Sequence, residues 1–221
     1  MAQTDDTSTP APDTGSGASG TPDSDSSTPE VSTAPAEPKD DLVTSQHTLK
    51  AGRGTLSYTA TAGRIVLREE VYEDDVFTGT KPKAEVFLTS YVVERAEGEP
   101  ERPVTFAFNG GPGSSSVWLH LGLLGPRRVE MGDVGALRPP PYGLVDNPES
   151  LLTVSDLVFI DPVSTGFSRA VEGGKAKGYH GFSGDIESVG EIIRLWTART
   201  NGITYGVRRG SRGPGRPAVG G

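Results

Sequence analysis

Apolar runs separated by polar stretches divide the middle of the chain into predicted elements. Residues 84–93, 104–108 and 157–160 are rich in β-branched and aromatic side chains, which predicts three strands. The third run follows Asp156 and has no polar interruption, a pattern typical of a strand buried on both faces.

Shorter apolar stretches complete the pattern. Residues 55–60 and 65–67 predict two short strands about a turn that contains Gly63. Residues 114–124 predict a helix that begins in serines, and residues 185–196 place apolar side chains on one helical face, namely Ile186, Val189, Ile192, Ile193 and Trp196. Strands followed by alternating strand and helix predict an α/β fold with a mixed sheet.

The N-terminal 45 residues have a different composition. Residues 1–41 contain no Leu, Ile, Phe or Trp, so they cannot bury enough apolar surface to offset their chain entropy. We expect a disordered acidic Ser/Thr/Pro-rich tail over residues 1–45, with order beginning near Gln46. Residues 1–41 hold nine of the 29 acids and one of the 21 bases, so this tail accounts for the net charge of −8.

Composition also excludes several classes of function. There is no cysteine, hence no disulfide, thiolate metal site or cysteine nucleophile. Residues 42–221 are balanced in charge, which gives no support to nucleic-acid binding. No apolar run is long enough for a membrane span, and residues 1–10 lack the features of a signal peptide. We expect a cytoplasmic protein, with export possible if the start codon is misassigned, and the oligomeric state cannot be predicted.

The segment FNGGPGSSS, residues 108–116, carries the clearest chemistry. Glycines leave backbone amides unobstructed, and the proline fixes the loop between a predicted strand and a predicted helix. This arrangement is typical of an oxyanion hole, where preset amides face developing negative charge. A tight structural turn remains open as an alternative. A phosphate-binding loop is also possible, although the usual motifs are missing.

Three segments together resemble one family. They are TFAFNGGPGSSSVWLHLGLLGPRRV (residues 105–129), YGLVDNPESLL (142–152) and DLVFIDPVSTGFSRA (156–170). Their order and spacing resemble the serine carboxypeptidases of the α/β-hydrolase fold, in particular the bacterial branch, over residues 46–196. The chain would then hold the N-terminal half of the central mixed sheet with its flanking helices. Ser114 is a departure, since many secreted members have cysteine there.

The resemblance implies roles for individual residues. Asn109 and Gly110 would bind the C-terminal carboxylate of a peptide substrate, Gly111 would donate to the oxyanion, and Ser168 would line the pocket. It implies release of C-terminal residues from peptides through an acyl-enzyme, with no metal or cofactor and with a peptide C-terminus as the partner.

A complete catalytic triad is not expected in this chain. Ser168 and Ser183 resemble nucleophile elbows, but neither follows its strand directly. In α/β-hydrolases the triad histidine comes last. His47 precedes every candidate, His120 is expected to be packed, and His180 follows Ser168 too closely. We therefore expect none of these residues to be catalytic and the chain itself to be inactive.

From Thr197 the resemblance ends and the sequence becomes rich in Arg, Gly and Pro without any acid. We expect residues 197–221 to be an aberrant or disordered tail produced by a frameshift or truncation. The alternative function is a pseudoenzyme or a non-catalytic protein that binds peptide C-termini.

Overall fold

The computed structural model describes residues 36–52, 54–109, 113–133, 136 and 138–200. From Glu37 onward these residues belong to one compact unit. The described strands, numbered β1 to β8 in chain order, are Asp41–Ala51, Gly54–Glu73, Val76–Val93, Val104–Ala107, Arg127–Val129, Leu144–Asp146, Asp156–Ile160 and Arg169–Ala170. The main sheet has the strand order β1-β2-β3-β7-β4, and β8 also pairs with β3. β4 and β7 are parallel and the other pairs are antiparallel, which confirms the predicted mixed sheet.

The three strands predicted over residues 84–93, 104–108 and 157–160 are confirmed. Residues 84–93 form the second half of β3, residues 104–107 form β4, and β7 coincides with the apolar run after Asp156. Every residue of β7 is buried, because the strand lies between β3 and β4 and is covered on both faces. β5 and β6 form a separate two-stranded ribbon.

The predicted turn near Gly63 is wrong, because β2 runs without interruption from Gly54 to Glu73. Gly63 pairs with Leu42 in β1 and has φ +148°. A Cβ at this position would overlap the backbone carbonyl of Asp41. The glycine therefore permits close approach of β1, rather than a reversal of the chain.

The predicted onset of order near Gln46 is also too late. β1 begins at Asp41 and pairs with β2 from its first residue. Nearly all its side chains are exposed, so the strand rests on backbone pairing that an apolar pattern does not reveal. Residues 1–35 lie outside the described residues, so the disorder predicted for them stays a prediction.

Two helical segments flank the sheet. The first, α1 (Val117–Leu119), continues directly into a π-helical turn over His120–Leu124. The second, α2 (Phe182–Arg199), extends the predicted helix at both ends. It passes the predicted boundary at Trp196, while residues 201–221 of the predicted tail lie outside the described residues. Short 3-10 helices occupy Leu151–Thr153 and Ala176–Tyr179.

The sheet carries a hydrophobic core on each face. One core packs α2 against the sheet through Val189, Ile192 and Trp196. The other lies beneath α1 and the 3-10 helix at Leu151–Thr153, around Leu152 and Phe159. Ile186 was expected on the buried face of α2 but is 55 % exposed, since only the later turns of the helix reach the core.

Candidate active site

The loops that follow β4 and β7 meet at the carboxyl ends of these two strands. Since β4 and β7 are parallel neighbours, both loops emerge at the same edge of the sheet. This edge is where open α/β sheets bind ligands. The loop after β4 contains Asn109, and the loop after β7 begins at Asp161. The two sequence motifs are thus brought together by the fold.

Ser116 joins the two loops. Its amide donates to Oδ1 of Asp161 at 2.8 Å, and its hydroxyl donates to the carbonyl of Ile160. The same hydroxyl oxygen accepts the amide of Asn109 at 3.2 Å. Ser116 makes no side-chain cap to its helix, so the predicted N-cap role for a serine here is replaced by cross-linking of the loops.

Ser168 is the last residue of the loop between β7 and β8. It is fully buried, its hydroxyl donates to the carbonyl of Asp161 at 2.6 Å, and its oxygen accepts the amide of Phe87 at 2.8 Å. Both hydrogen bonds hold this hydroxyl inside the core, and the expectation that Ser168 is not the nucleophile stays a prediction. Ser168 is not among the residues that line the neighbouring cavity, which include Ser164 and Thr165, and the pocket-lining role expected for Ser168 stays a prediction.

Asn109 lies at the wall of a cavity of about 560 Å³. Its Nδ2 donates to the hydroxyl of Ser114 at 2.5 Å, which fixes the side-chain amide at the cavity. An amide that donates without carrying charge suits a carboxylate partner. Gly110 and Gly111, expected to bind carboxylate and oxyanion, lie outside the described residues, and their roles stay predictions.

His120 is packed, as expected, rather than placed for catalysis. Its Nε2 lies 2.6 Å from the hydroxyl of Tyr91, and its ring stacks on Phe159 with centroids 4.6 Å apart. Burial lowers the pKa of His120 to about 4. Burial also raises the pKa of Tyr91, with a smaller contribution from Tyr58. Both rings are therefore neutral near pH 7 and form part of the core.

The cavity also holds a pair that the sequence pattern did not single out. Nε2 of His180 lies 3.0 Å from the hydroxyl oxygen of Ser164, and both residues line the cavity with Asn109. The hydroxyl of Thr165 lies in the same wall and is buried, with no hydrogen-bond partner among the described residues. In the sequence this loop is marked by the family resemblance of residues 156–170 and by its GFS motif, and nothing in the residue spacing places His180 beside Ser164.

Two kinds of feature are absent from the described ranges. They contain no cluster of three or more His, Cys, Asp or Glu side chains suited to a metal ion. No helix within them is long and apolar enough to cross a bilayer.

Comparison with known proteins supports the resemblance. Residues 76–185 match the family model for serine carboxypeptidases. The pheromone-processing carboxypeptidase KEX1 of Saccharomyces cerevisiae is 34 % identical over 132 residues, which cover 58 % of this chain and 16 % of that protein. The serine carboxypeptidase-like 37 protein of Arabidopsis thaliana is 33 % identical over 118 residues, which cover 53 % of this chain and 20 % of that protein.

A solved structure gives a similar match. The crystal structure of KEX1, a prohormone-processing carboxypeptidase from Saccharomyces cerevisiae, is 32 % identical and covers 49 % of this chain and 20 % of that one, with a TM-score of 0.37. The match thus spans a fifth or less of each relative. The predicted bacterial branch is not tested by these relatives, which come from yeast and a plant.

The family match covers the β3, β4 and β7 strands and both loops of the site. Together with the mixed sheet, it assigns the fold to part of an α/β-hydrolase, as predicted. Through residues 76–185, the chain belongs to the serine carboxypeptidase family.

Proposed function

We propose that this segment supplies the substrate-carboxylate site of a serine-type carboxypeptidase. The whole enzyme would release C-terminal residues from peptides through an acyl-enzyme. In this proposal Asn109 and the Gly110 amide bind the carboxylate of the peptide, while Gly111 donates to the oxyanion. The nucleophile, the acid and the histidine of the triad would come from sequence that this chain does not contain.

The observation that carries the proposal is the meeting of the two family motifs at one cavity. Asn109 and Thr165 come from different loops and line the same space. Ser116 fixes one loop to the other through Asp161. The side-chain amide of Asn109 is held by Ser114, so it needs little ordering when a carboxylate arrives. Preorganised donors of this kind lose less entropy on binding.

Binding of matched peptides tests this role. A short peptide with a free C-terminal carboxylate and the same peptide with a C-terminal amide would be titrated into the chain by calorimetry. We expect the free acid to bind at least tenfold more tightly. The Asn109→Asp variant should lose this preference, because a carboxylate at this position repels the carboxylate of the peptide.

The matched control is Asn201→Ala, which changes an asparagine outside the described residues and should leave the preference intact. Equal affinity for acid and amide would overturn the proposal. Hydrolysis of an N-blocked dipeptide, measured alongside, separates an active enzyme from the alternative of a non-catalytic protein that binds peptide C-termini. We expect binding without turnover.

A further inference from the structure

Ser164 has a backbone conformation that serine rarely adopts. Its φ is +74°, and the other two non-glycine residues with positive φ in the described part of the chain are Asp74 and Asp75, in the turn between β2 and β3. Residues held in such conformations concentrate at active sites, where the surrounding structure imposes them. Here the amide of Ser164 donates to the carbonyl of Ser168 at 3.2 Å, so the loop closes on itself.

The conformation directs the hydroxyl of Ser164 towards a base. The hydroxyl oxygen lies 3.0 Å from Nε2 of His180, within the roughly 2.6–3.2 Å that separates a nucleophile from its base. His180 directly follows the 3-10 helix Ala176–Tyr179, and its amide donates to the carbonyl of Lys177 at 3.3 Å. The pair therefore forms only where the loop after β7 meets the segment that follows this 3-10 helix.

Thr165 also lines the cavity and directly follows Ser164 in the sequence. It is 7 % exposed, and its hydroxyl has no partner among the described residues. A buried hydroxyl without a hydrogen bond is unfavourable, and such groups are uncommon in folded proteins. Rotation of this side chain towards a ligand oxygen in the cavity would satisfy the hydroxyl. Asp185 lines the same cavity as well.

We propose that Ser164 is a nucleophile towards carboxylic esters, with His180 as its general base. The hydroxyl proton of Ser164 passes to Nε2 of His180 while Oγ bonds to the ester carbon, and Thr165 donates to the oxyanion. The bond from that carbon to the alkoxy oxygen then breaks, and the departing alkoxide takes the proton from His180. A water molecule then loses a proton to His180 as its oxygen bonds to the acyl carbon. The bond from that carbon to Oγ breaks, His180 gives the proton to Oγ of Ser164, and the carboxylic acid leaves.

This activity does not depend on the proposed carboxypeptidase function, because Ser164 and His180 belong neither to the missing triad nor to the groups proposed to bind the carboxylate, although they line the same cavity as Asn109. The intact chain would be treated with a biotinylated fluorophosphonate, which forms a serine–phosphorus bond with loss of fluoride. We expect one adduct, and fragment-ion mass spectrometry should locate it on Ser164 rather than Ser168.

Two variants make the test specific. Ser164→Gly should abolish the adduct while keeping the loop, because glycine adopts positive φ more readily than serine. His180→Asn should slow labelling by about a hundredfold, the lower range of general-base contributions. The matched controls Ser183→Ala and His47→Asn should label at the parent rate.

No adduct on the chain, an adduct on another serine, or unchanged labelling of Ser164→Gly would each overturn the proposal. Failure here can be distinguished from failure of the carboxylate site. Labelling of Ser164 is read by mass spectrometry and the preference for the free-acid peptide by calorimetry, both on the parent chain, so each proposal has its own readout.

Discussion

Gly166 shows how little space separates the loop after β7 from the loop after β4. Its φ is +47°, and a Cβ at this position would overlap the carboxylate of Asp161 and touch the side chain of Ser115. The other carboxylate oxygen of Asp161 accepts the amide of Ser116. A side chain at residue 166 would thus disturb the contact that holds the two loops together.

The Gly166→Ala variant should therefore lose stability. Strain at positive φ and displacement of Asp161 should together lower the free energy of unfolding by about 2–4 kcal/mol. Urea denaturation followed by circular dichroism measures this. Gly113→Ala is the matched control, since Gly113 has φ +78° but no atom of the described residues lies within 4 Å of its Cβ position. It should lose only about 1 kcal/mol, and equal losses in the two variants would contradict the proposed clash.

A buried ion pair anchors the start of β7. Asp156 is fully buried, its Oδ1 lies 3.1 Å from Nε of Arg102, and the same oxygen accepts the amide of Val93. Arg102 also donates to the carbonyl of Leu152 at 2.5 Å. The pair therefore connects β3, β7 and the 3-10 helix at Leu151–Thr153.

Removing the carboxylate should be costly. Asp156→Ala leaves the guanidinium of Arg102 and the amide of Val93 without this acceptor, and we expect a loss of about 3–5 kcal/mol in the free energy of unfolding. The exposed pair Glu191–Arg194 provides the control, because Glu191→Ala should change it by less than about 1 kcal/mol. A loss below about 1 kcal/mol for Asp156→Ala in chemical denaturation would contradict this role.

At the scale of elements, α2 shows what a periodic pattern predicts and what it does not. The pattern correctly predicted a helix and three of its buried positions, Val189, Ile192 and Trp196. It could not show where the core ends, so Ile186 was placed on the buried face although it is largely exposed. The position of a helix over a sheet depends on the loops at its ends, which carry no such periodicity.

Truncation of two isoleucines tests this arrangement of α2. Ile192 is fully buried, so Ile192→Ala should lower the free energy of unfolding by about 2–5 kcal/mol, since it removes core contacts and leaves a cavity. Ile186→Ala makes the same chemical change at an exposed position and should stay within about 0.5 kcal/mol. Thermal melts of both variants give the comparison. A larger effect at residue 186 than at residue 192 would mean that the other face of α2 packs against the sheet, which would contradict this arrangement.

The π-helical turn after α1 places His120 against the core and makes folding depend on pH. The pKa of His120 falls from 6.5 to about 4 on folding, so the unfolded chain binds the proton more readily. The stabilising effect of the neutral ring is complete above pH 6.5, decreases as the pH falls and is lost below about pH 4. We expect a loss of up to about 3 kcal/mol across this window.

Urea denaturation at a series of pH values measures the effect. His120→Gln removes the titrating group and should flatten the stability profile between pH 6.5 and 4. The His47→Gln control changes a histidine on the exposed part of β1 and should keep the slope of the parent chain. If the slope were unchanged in His120→Gln, other groups would have to account for the pH dependence.

How far the sequence predicts the site depends on the distance over which residues interact. The strands, the FNGGPGSSS loop and the family follow from local runs of residues. The contacts that hold the site do not, because Ser116 and Asp161 are far apart in the sequence and meet only when β4 pairs with β7. The Ser164–His180 pair likewise requires the path of the chain between β8 and α2.

At the scale of the molecule, many of the acidic residues lie before the compact unit begins. The compact unit begins at Glu37, whereas six of the acids lie in residues 1–35, which contain no base. The N-terminal edge of the unit is held by polar contacts. Asp40 accepts the amide of Val66 at 2.7 Å and also pairs with Arg199 of α2, and Glu37 pairs with Arg68 at 2.7 Å.

Two deletions locate the true start of this unit. Removing residues 1–35 takes away six acids and no base, which changes the net charge from −8 to −2. It should leave the melting temperature within about 2 °C of the parent, because every contact of Glu37 and Asp40 is kept.

Removing residues 1–45 also removes the first part of β1 and the carboxylate that accepts the amide of Val66. The loss of several hydrogen bonds, each worth about 1 kcal/mol, should lower the melting temperature by roughly 5 °C or more. Differential scanning calorimetry of the three chains decides between the two boundaries: equal melting temperatures would place the start of the folded unit near Gln46, and a drop only in the shorter chain would place it at or before Asp41.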